Sequence, residues 1–302
     1  MTTAIELCDL TKTYNTRRGP RRGLAGLTLT VQRGEVFGYL GPNGAGKSTT
    51  IRLLLDLIRP TAGTARVLGM DPRSDAVALH RRIGYLAGDF VVDGRQQAGA
   101  CLDFLGNLRG GVPAARIAEL ADRLELDLRA PIKSLSKGNR QKVGLIQAFM
   151  HQPELLILDE PSSGLDPLVQ QTFLAMVTEA SQRGQTVFMS SHIMSEVEAV
   201  ADRVAIIREG RLAALDTVAD LRARSLLHVR LTFAAPVAAR EFAELPGVTD
   251  LRTDGITLSC AVDGSPDALI KTAARHTVTG LHADGQDLES LFQAYYTGER
   301  AA

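Results

Sequence analysis

The chain has 302 residues, with 34 lysines plus arginines against 34 aspartates plus glutamates, so its formal net charge is zero. That length buries enough surface for one large domain and a small one, and the balanced charge excludes the global positive field of a nucleic-acid binder. Cys8, Cys101 and Cys260 lie far apart without C-x-x-C spacing, which argues for isolated thiols over a disulfide frame or zinc site.

No apolar run approaches the ~20 residues a bilayer demands, and the N-terminus lacks a signal-peptide core. The expectation is a cytosolic chain that meets a membrane only through a partner.

Residues 4–8 and 26–31 alternate as half-buried strands. Between them lie Tyr14 and the basic run from Arg17 to Arg22. Like-charge runs are usually solvated, so this one reads as a hairpin loop, with a phosphate- or headgroup-facing patch as the alternative. Tyr14 precedes the next strand and is a candidate for stacking on a purine, a contact worth about 1 kcal/mol.

Residues 35–40 are apolar and β-prone, and residues 48–58 read as a helix. Between them, Gly41, Pro42, Asn43, Gly44, Ala45, Gly46, Lys47 and Ser48 fit G-x-x-x-x-G-K-[ST], the phosphate-binding P-loop. Glycines let the main chain curl its N–H groups around a triphosphate. The helix N-terminus adds unpaired donors and a partial positive charge. Lys47 would reach the β- and γ-phosphates, the Ser48 hydroxyl would ligate Mg²⁺, and Thr49 completes the ATP-binding set.

Residues 64–68 and 82–86 read as short strands, and residues 98–150 turn helical, with Pro113 and Pro131 as punctuation. The segment Leu135-Ser136-Lys137-Gly138-Asn139 opens a helix running to about Met150. Its hydroxyl, glycine and helix-start N–H groups make a second anion nest. Within one chain that nest is redundant, because the P-loop already holds the phosphates. It makes sense if it addresses ATP bound to another subunit.

Leu155–Leu158 is a continuous apolar run, the mark of a strand buried on both faces. It ends in Asp159 and Glu160. Adjacent strand residues point to opposite sides, so Asp159 would hold Mg²⁺ while Glu160 polarises the attacking water. Helices are expected at 167–183 and 193–201, and strands at 186–190 and 203–208. His192 follows the first of these strands, where its imidazole would reach the γ-phosphate and the water. Alternating strands and helices imply a mostly parallel wound sheet, an α/β architecture, with nucleotide at its carboxyl edge.

After about Leu221 the pattern becomes βαββαβα, with strands at 228–233, 248–252, 255–262 and 277–283 and helices at 237–245, 266–276 and 287–296. That order suggests a small ferredoxin-like α+β domain. It carries no catalytic cluster.

Taken together, these motifs resemble an ABC-type ATPase, the nucleotide-binding subunit of an ABC transporter, over residues 4 to about 220. Gly41–Ser48 is similar to Walker A, Leu135–Asn139 to the family signature, and Leu155–Glu160 to Walker B with its catalytic glutamate. Ser163-Gly164-Leu165-Asp166 is similar to the D-loop, His192 to the switch histidine, and Tyr14 to the adenine-stacking aromatic.

The resemblance implies a P-loop NTPase domain over 1–221 with an inserted helical subdomain at about 88–150, and an accessory domain over 226–302. It implies ATP and Mg²⁺, and catalysis by Glu160, His192 and Lys47. Ser136, Lys137, Gly138, Asn139 and Asp166 would cover ATP held by a second copy or a similar subunit. A polytopic membrane permease would be the other partner, holding the chain on the inner face of the cell membrane. The form Leu-Ser-Lys-Gly-Asn-Arg-Gln-Lys resembles ATPases of ABC-2-type drug and antibiotic exporters.

The alternatives are a soluble relative acting on ribosomes or DNA, and a regulatory module with weak hydrolysis. One departure stands out. Gly88 occupies the place where the family usually carries a glutamine, leaving Asp89 as a possible Mg²⁺ ligand.

Overall fold

The computed structural model describes residues 2–284 apart from Arg18, Asp93, Arg95 and Ser225. The helix expected at 287–296 lies outside the described residues. The chain divides into two compact units, Met1–Leu215 and Asp216–Ala302.

The first unit opens with β1 (Thr3–Thr16) and β2 (Gly19–Gln32), followed by β3 (Val36–Leu40), α1 (Lys47–Leu54), β4 (Ala62–Val67), α2 (Ala76–Arg81) and β5 (Ile83–Leu86). Three helices come next: α3 (Ala98–Leu108), α4 (Ala114–Arg123) and α5 (Lys137–Phe149). The unit closes with β6 (Leu155–Asp159), α6 (Pro167–Gln182), β7 (Thr186–Ser191), α7 (Met194–Glu198), β8 (Arg203–Arg208) and β9 (Arg211–Thr217), the last crossing the boundary between units.

Six strands form the main sheet in the order β5-β6-β7-β3-β8-β9. The pairs β5–β6, β6–β7, β7–β3 and β3–β8 are parallel. Every residue of β3, β6 and β7 is buried, as expected of strands covered on both faces. A second, antiparallel sheet has the order β2-β1-β4. Ile5, Leu7, Leu27 and Leu29 from it share one apolar core with Phe37, Tyr39 and Phe188 of the main sheet and Ile51 of α1.

The structure corrects the reading of the basic run. The β1–β2 ribbon stays paired out to Thr16 opposite Gly19, so Gly19 to Arg22 are strand residues and not a loop. The first helix is shorter than read, stopping at Leu54. Neither α2 nor β9 was anticipated.

The second unit holds α8 (Val218–Arg224), β10 (Leu227–Phe233), α9 (Arg240–Ala243), β11 (Val248–Asp254), β12 (Thr257–Val262), α10 (Asp267–Ala273) and β13 (Val278–Asp284). Its sheet order is β11-β12-β10-β13 with antiparallel pairs throughout. That is the ferredoxin-like arrangement of a βαββαβ chain. Its core packs Val229, Leu231 and Phe233 against Phe242 and Leu269 of the helices.

Candidate nucleotide site

The carboxyl ends of β3, β6 and β7 set the site, as the parallel order requires. The loop after β3 ends in Gly46, whose φ of 116° suits glycine alone, and α1 begins at Lys47. Lys47 is 6% exposed, and its Nζ donates to the carbonyls of Gly41 at 2.5 Å and Pro42 at 3.4 Å. The same Nζ stands 3.0 Å from Glu160 Oε1. That oxygen is buried and lacks an aligned hydrogen-bond donor, so the contact is one of charge.

Glu160 follows β6 with a φ of 48°, a left-handed conformation uncommon for a residue with a side chain. Its amide holds it there, donating to Ser190 O at 3.2 Å and Ser190 Oγ at 3.1 Å. The Ser190 hydroxyl in turn donates to Asp159 Oδ1 at 2.6 Å. Glu160 Oε2 lies 2.6 Å from His192 Nδ1. Lys47, Glu160 and His192 thus come from three elements to one line of contacts. Ser190 escaped the sequence reading, although it pairs directly with Asp159 in the β6–β7 register.

A cleft of about 450 Å³ opens over the P-loop, and its lining includes Tyr14, Lys47, Ser48, Thr49, Arg21 and Arg22. Among the described residues three cations and no carboxylate line it, which suits a polyanion. Tyr14 packs so closely on Gly23 that a Cβ there would come within 2.7 Å of its ring. Its hydroxyl shares a 3.2 Å hydrogen bond with Thr49 Oγ1. Arg21 pairs with Tyr14 across the ribbon, so both side chains share one face. Arg21 Nη2 approaches to 4.0 Å from a Cβ built on Gly44. The strand pairing that the sequence reading missed is what carries this guanidinium over the phosphate loop.

The signature segment starts α5 with Ser136 as its N-cap, Oγ accepting from Asn139 N at 3.1 Å. Gly138 meets the backbone of Gly164 so closely that a Cβ would lie 2.4 Å from the Gly164 carbonyl oxygen. Lys137 Nζ donates to Ser163 Oγ at 3.3 Å. Gln141, part of the quoted signature run but given no role there, donates from Nε2 to Pro161 O at 3.1 Å and Glu160 O at 3.3 Å. Signature helix, D-loop and the end of β6 therefore form one hydrogen-bonded block. Asp166 caps α6, accepting from Val169 N at 3.0 Å. That N–H, with Lys142 adding charge, holds its carboxyl below the usual aspartate range.

A Cβ built on Gly88 would lie 3.6 Å from Asp159 Oδ2, an ordinary contact. The position expected to carry glutamine thus faces the Asp159 carboxylate without a side chain. Asp89 is exposed and lines a different cleft, about 380 Å³, with Phe90, Lys137 and Arg140.

The chain resembles known proteins in sequence and fold. Residues 24–163 match the family described as ABC transporter. The daunorubicin/doxorubicin resistance ATP-binding protein DrrA of Streptomyces peucetius is 39% identical over 274 residues, covering 87% of this chain and 82% of its own. The bacitracin transport ATP-binding protein BcrA of Enterococcus faecalis is 30% identical over 301 residues, covering 97% and 96%. The probable multidrug ABC transporter ATP-binding protein YbhF of Escherichia coli is 36% identical over 228 residues, and there this chain spans only 39% of the relative's length.

A solved ATP-binding subunit of an ABC transporter superposes with a TM-score of 0.65 at 30% identity, covering 72% of this chain and 92% of its own. A dimeric ATP-binding cassette in a post-hydrolysis state, bound to ADP and Pi, shares the fold at 21% identity, with a TM-score of 0.65 over 71% of this chain and 98% of its own.

Proposed function

This chain belongs to the ABC transporter family, and on that premise we propose that it binds and hydrolyses ATP to power an exporter. The names of its relatives point to drug or antibiotic cargo. Among the described residues no helix is long and apolar enough to cross a membrane; in this reading a separate membrane subunit supplies the path for cargo.

The observation that carries the reading is the line Lys47–Glu160–His192, with gaps of 3.0 and 2.6 Å. Lys47 is held by the Gly41 carbonyl and the Glu160 carboxylate, both of which a phosphate oxygen would replace. The ATP β- and γ-phosphates take the P-loop N–H groups and Lys47, while Tyr14 stacks on the adenine. Glu160 Oε1 is then released to accept a proton from water attacking the γ-phosphate. His192 keeps Oε2 in place, and the products are ADP and phosphate.

Magnesium fits the donors present. Asp159 is a 5% exposed carboxylate beside Gly88, and Ser48 sits on the first turn of α1, so both offer the hard oxygens that ion prefers. When bound it would neutralise phosphate charge.

Two copies clasp two nucleotides, each P-loop ATP covered by Ser136, Gly138 and Asn139 of the other copy, so that γ-phosphate closes the pair and its loss loosens it. A Glu160→Gln protein keeps ATP affinity within about threefold while turnover falls about 100-fold or more, as loss of a general base requires. Steady-state phosphate release beside equilibrium ATP binding checks this. Turnover at the wild-type rate removes Glu160 from the chemistry.

A further inference from the structure

The face of the small sheet opposite its core carries charge that the proposed motor does not use. Val229, Leu231, Leu258, Cys260 and Val262 point into the core of the second unit. Alternation therefore sends His228, Arg230, Ser259 and Ala261 to the opposite face. The register lines up one row across three strands, Arg252 opposite Ser259 and Ser259 opposite Arg230. Directly opposed residues on one face are neighbours. Two guanidinium groups thus flank a small hydroxyl from strands roughly 10 Å apart, two inter-strand spacings.

The backbone is shaped around this row. Between Thr249 and Arg252, β11 carries one residue more than its partner strand, a bulge of the kind that re-aims side chains. Within it Asp250 has a φ of 51°, which a residue with a side chain rarely adopts. Asp250, His228, Arg230, Arg252, Ser259 and Ala261 together line a cleft of about 440 Å³, within the size range of small-molecule sites. Half-buried Ser259, with the buried Ala261 beside it, makes a low floor between taller basic walls. No residue of this cleft belongs to the nucleotide cleft.

We propose that this face of the second unit binds a small soluble phosphorylated molecule, its phosphate held between Arg230 and Arg252. The planar guanidinium fork matches phosphate oxygens two at a time. Ser259 supplies a hydroxyl donor beneath the phosphate. Asp250, an acceptor at the rim, selects a ligand that also carries hydroxyl or amino groups. A single-stranded nucleic acid is disfavoured, because among the described residues no Phe, Tyr or Trp lines the cleft to stack a base.

The test uses the full chain with ADP saturating its P-loop, titrated with glycerol 3-phosphate by isothermal titration calorimetry. One site per chain is expected, absent with glycerol, weakened at least tenfold by Arg230→Gln or Arg252→Gln and partly restored by Arg230→Lys. Each variant should bind ATP as the wild type does, which reports that the fold is intact. Binding that ignores both arginines, or no binding at millimolar glycerol 3-phosphate, overturns the proposal. A parallel arm uses phosphatidylcholine vesicles containing phosphatidic acid. Retention on them that is lost with Arg230→Gln overturns a soluble ligand in favour of a lipid headgroup.

Discussion

Glu160 illustrates how much a single backbone conformation decides. Its positive φ turns the residue out of the β6 strand, and the Ser190 contacts that hold it also orient Asp159. Two adjacent acids thereby acquire different environments, one beside Ser190 and Gly88, the other between Lys47 and His192. The sequence shows that two acids end a buried strand, but the lysine and histidine they meet depend on strand order in the sheet.

Arg21 is the converse case, a residue misread because its neighbours are also arginines. A like-charge run resembles a solvated loop when the partner strand is not in view. Its pairing with Tyr14 makes it a phosphate contact in the proposed site. Arg21→Ala should weaken ATP binding about tenfold, or ~1.4 kcal/mol, near the low end for a hydrogen bond to a charged group. The change belongs in KM, with kcat preserved within about twofold. A KM equal to that of the wild type places Arg21 outside the site.

Among the elements, α5 is held most tightly at its start. Gly138 allows the helix backbone to touch Gly164, and a methyl group at 2.4 Å from that carbonyl cannot be accommodated without moving one of them. Gly138→Ala should cost about 1–3 kcal/mol, the usual penalty of overpacking, and lower the melting temperature by several degrees. Gly88→Ala, where the new methyl meets Asp159 at an ordinary 3.5 Å, should melt as the wild type does. Equal melting temperatures for the two variants would mean that the signature and D-loop are not in tight contact.

At the entry to β5, His151 lies beside Arg109, 3.4 Å from its Nη1, with Nε2 3.2 Å from the Ile83 carbonyl. Burial, and then the Arg109 charge, depress its pKa to about 4 from 6.5. The folded state thus holds a neutral imidazole while the unfolded chain takes up a proton below pH 6.5. Stability from this residue is complete above pH 6.5 and is lost as pH falls toward 4, by at most ~3 kcal/mol and less for the water that reaches the ring. Urea midpoints should fall more steeply for the wild type than for His151→Gln between pH 6.5 and 4.5; parallel curves contradict the assignment.

Element by element, the P-loop, the signature helix and the buried strands were legible because short-range spacing carries them. The amphipathic stretch of α2 is only six residues, too brief for a helical period to register. Strand β9 is half-exposed and only loosely alternating, and it takes its identity from pairing with β8.

For the whole molecule, the first unit supplies a sheet whose carboxyl edge gathers the nucleotide chemistry, and the second supplies a separate fold with its own core. The order β11-β12-β10-β13 follows from the chain order of strands and helices, so the small fold could be anticipated, whereas the Arg230–Ser259–Arg252 row required the register. Within a single chain Ser136 caps its own helix and the P-loop is already complete. The proposed motor therefore depends on a second copy to give the signature a purpose.

The most direct measurement is the mass of the Glu160→Gln chain by sedimentation velocity, with and without saturating ATP and Mg²⁺. The account predicts a monomer without nucleotide, a dimer with ATP, and a return to monomer when Ser136→Arg is added although ATP still binds. A Glu160→Gln protein that stays monomeric at saturating ATP, or one that dimerises equally well with Ser136→Arg, contradicts it.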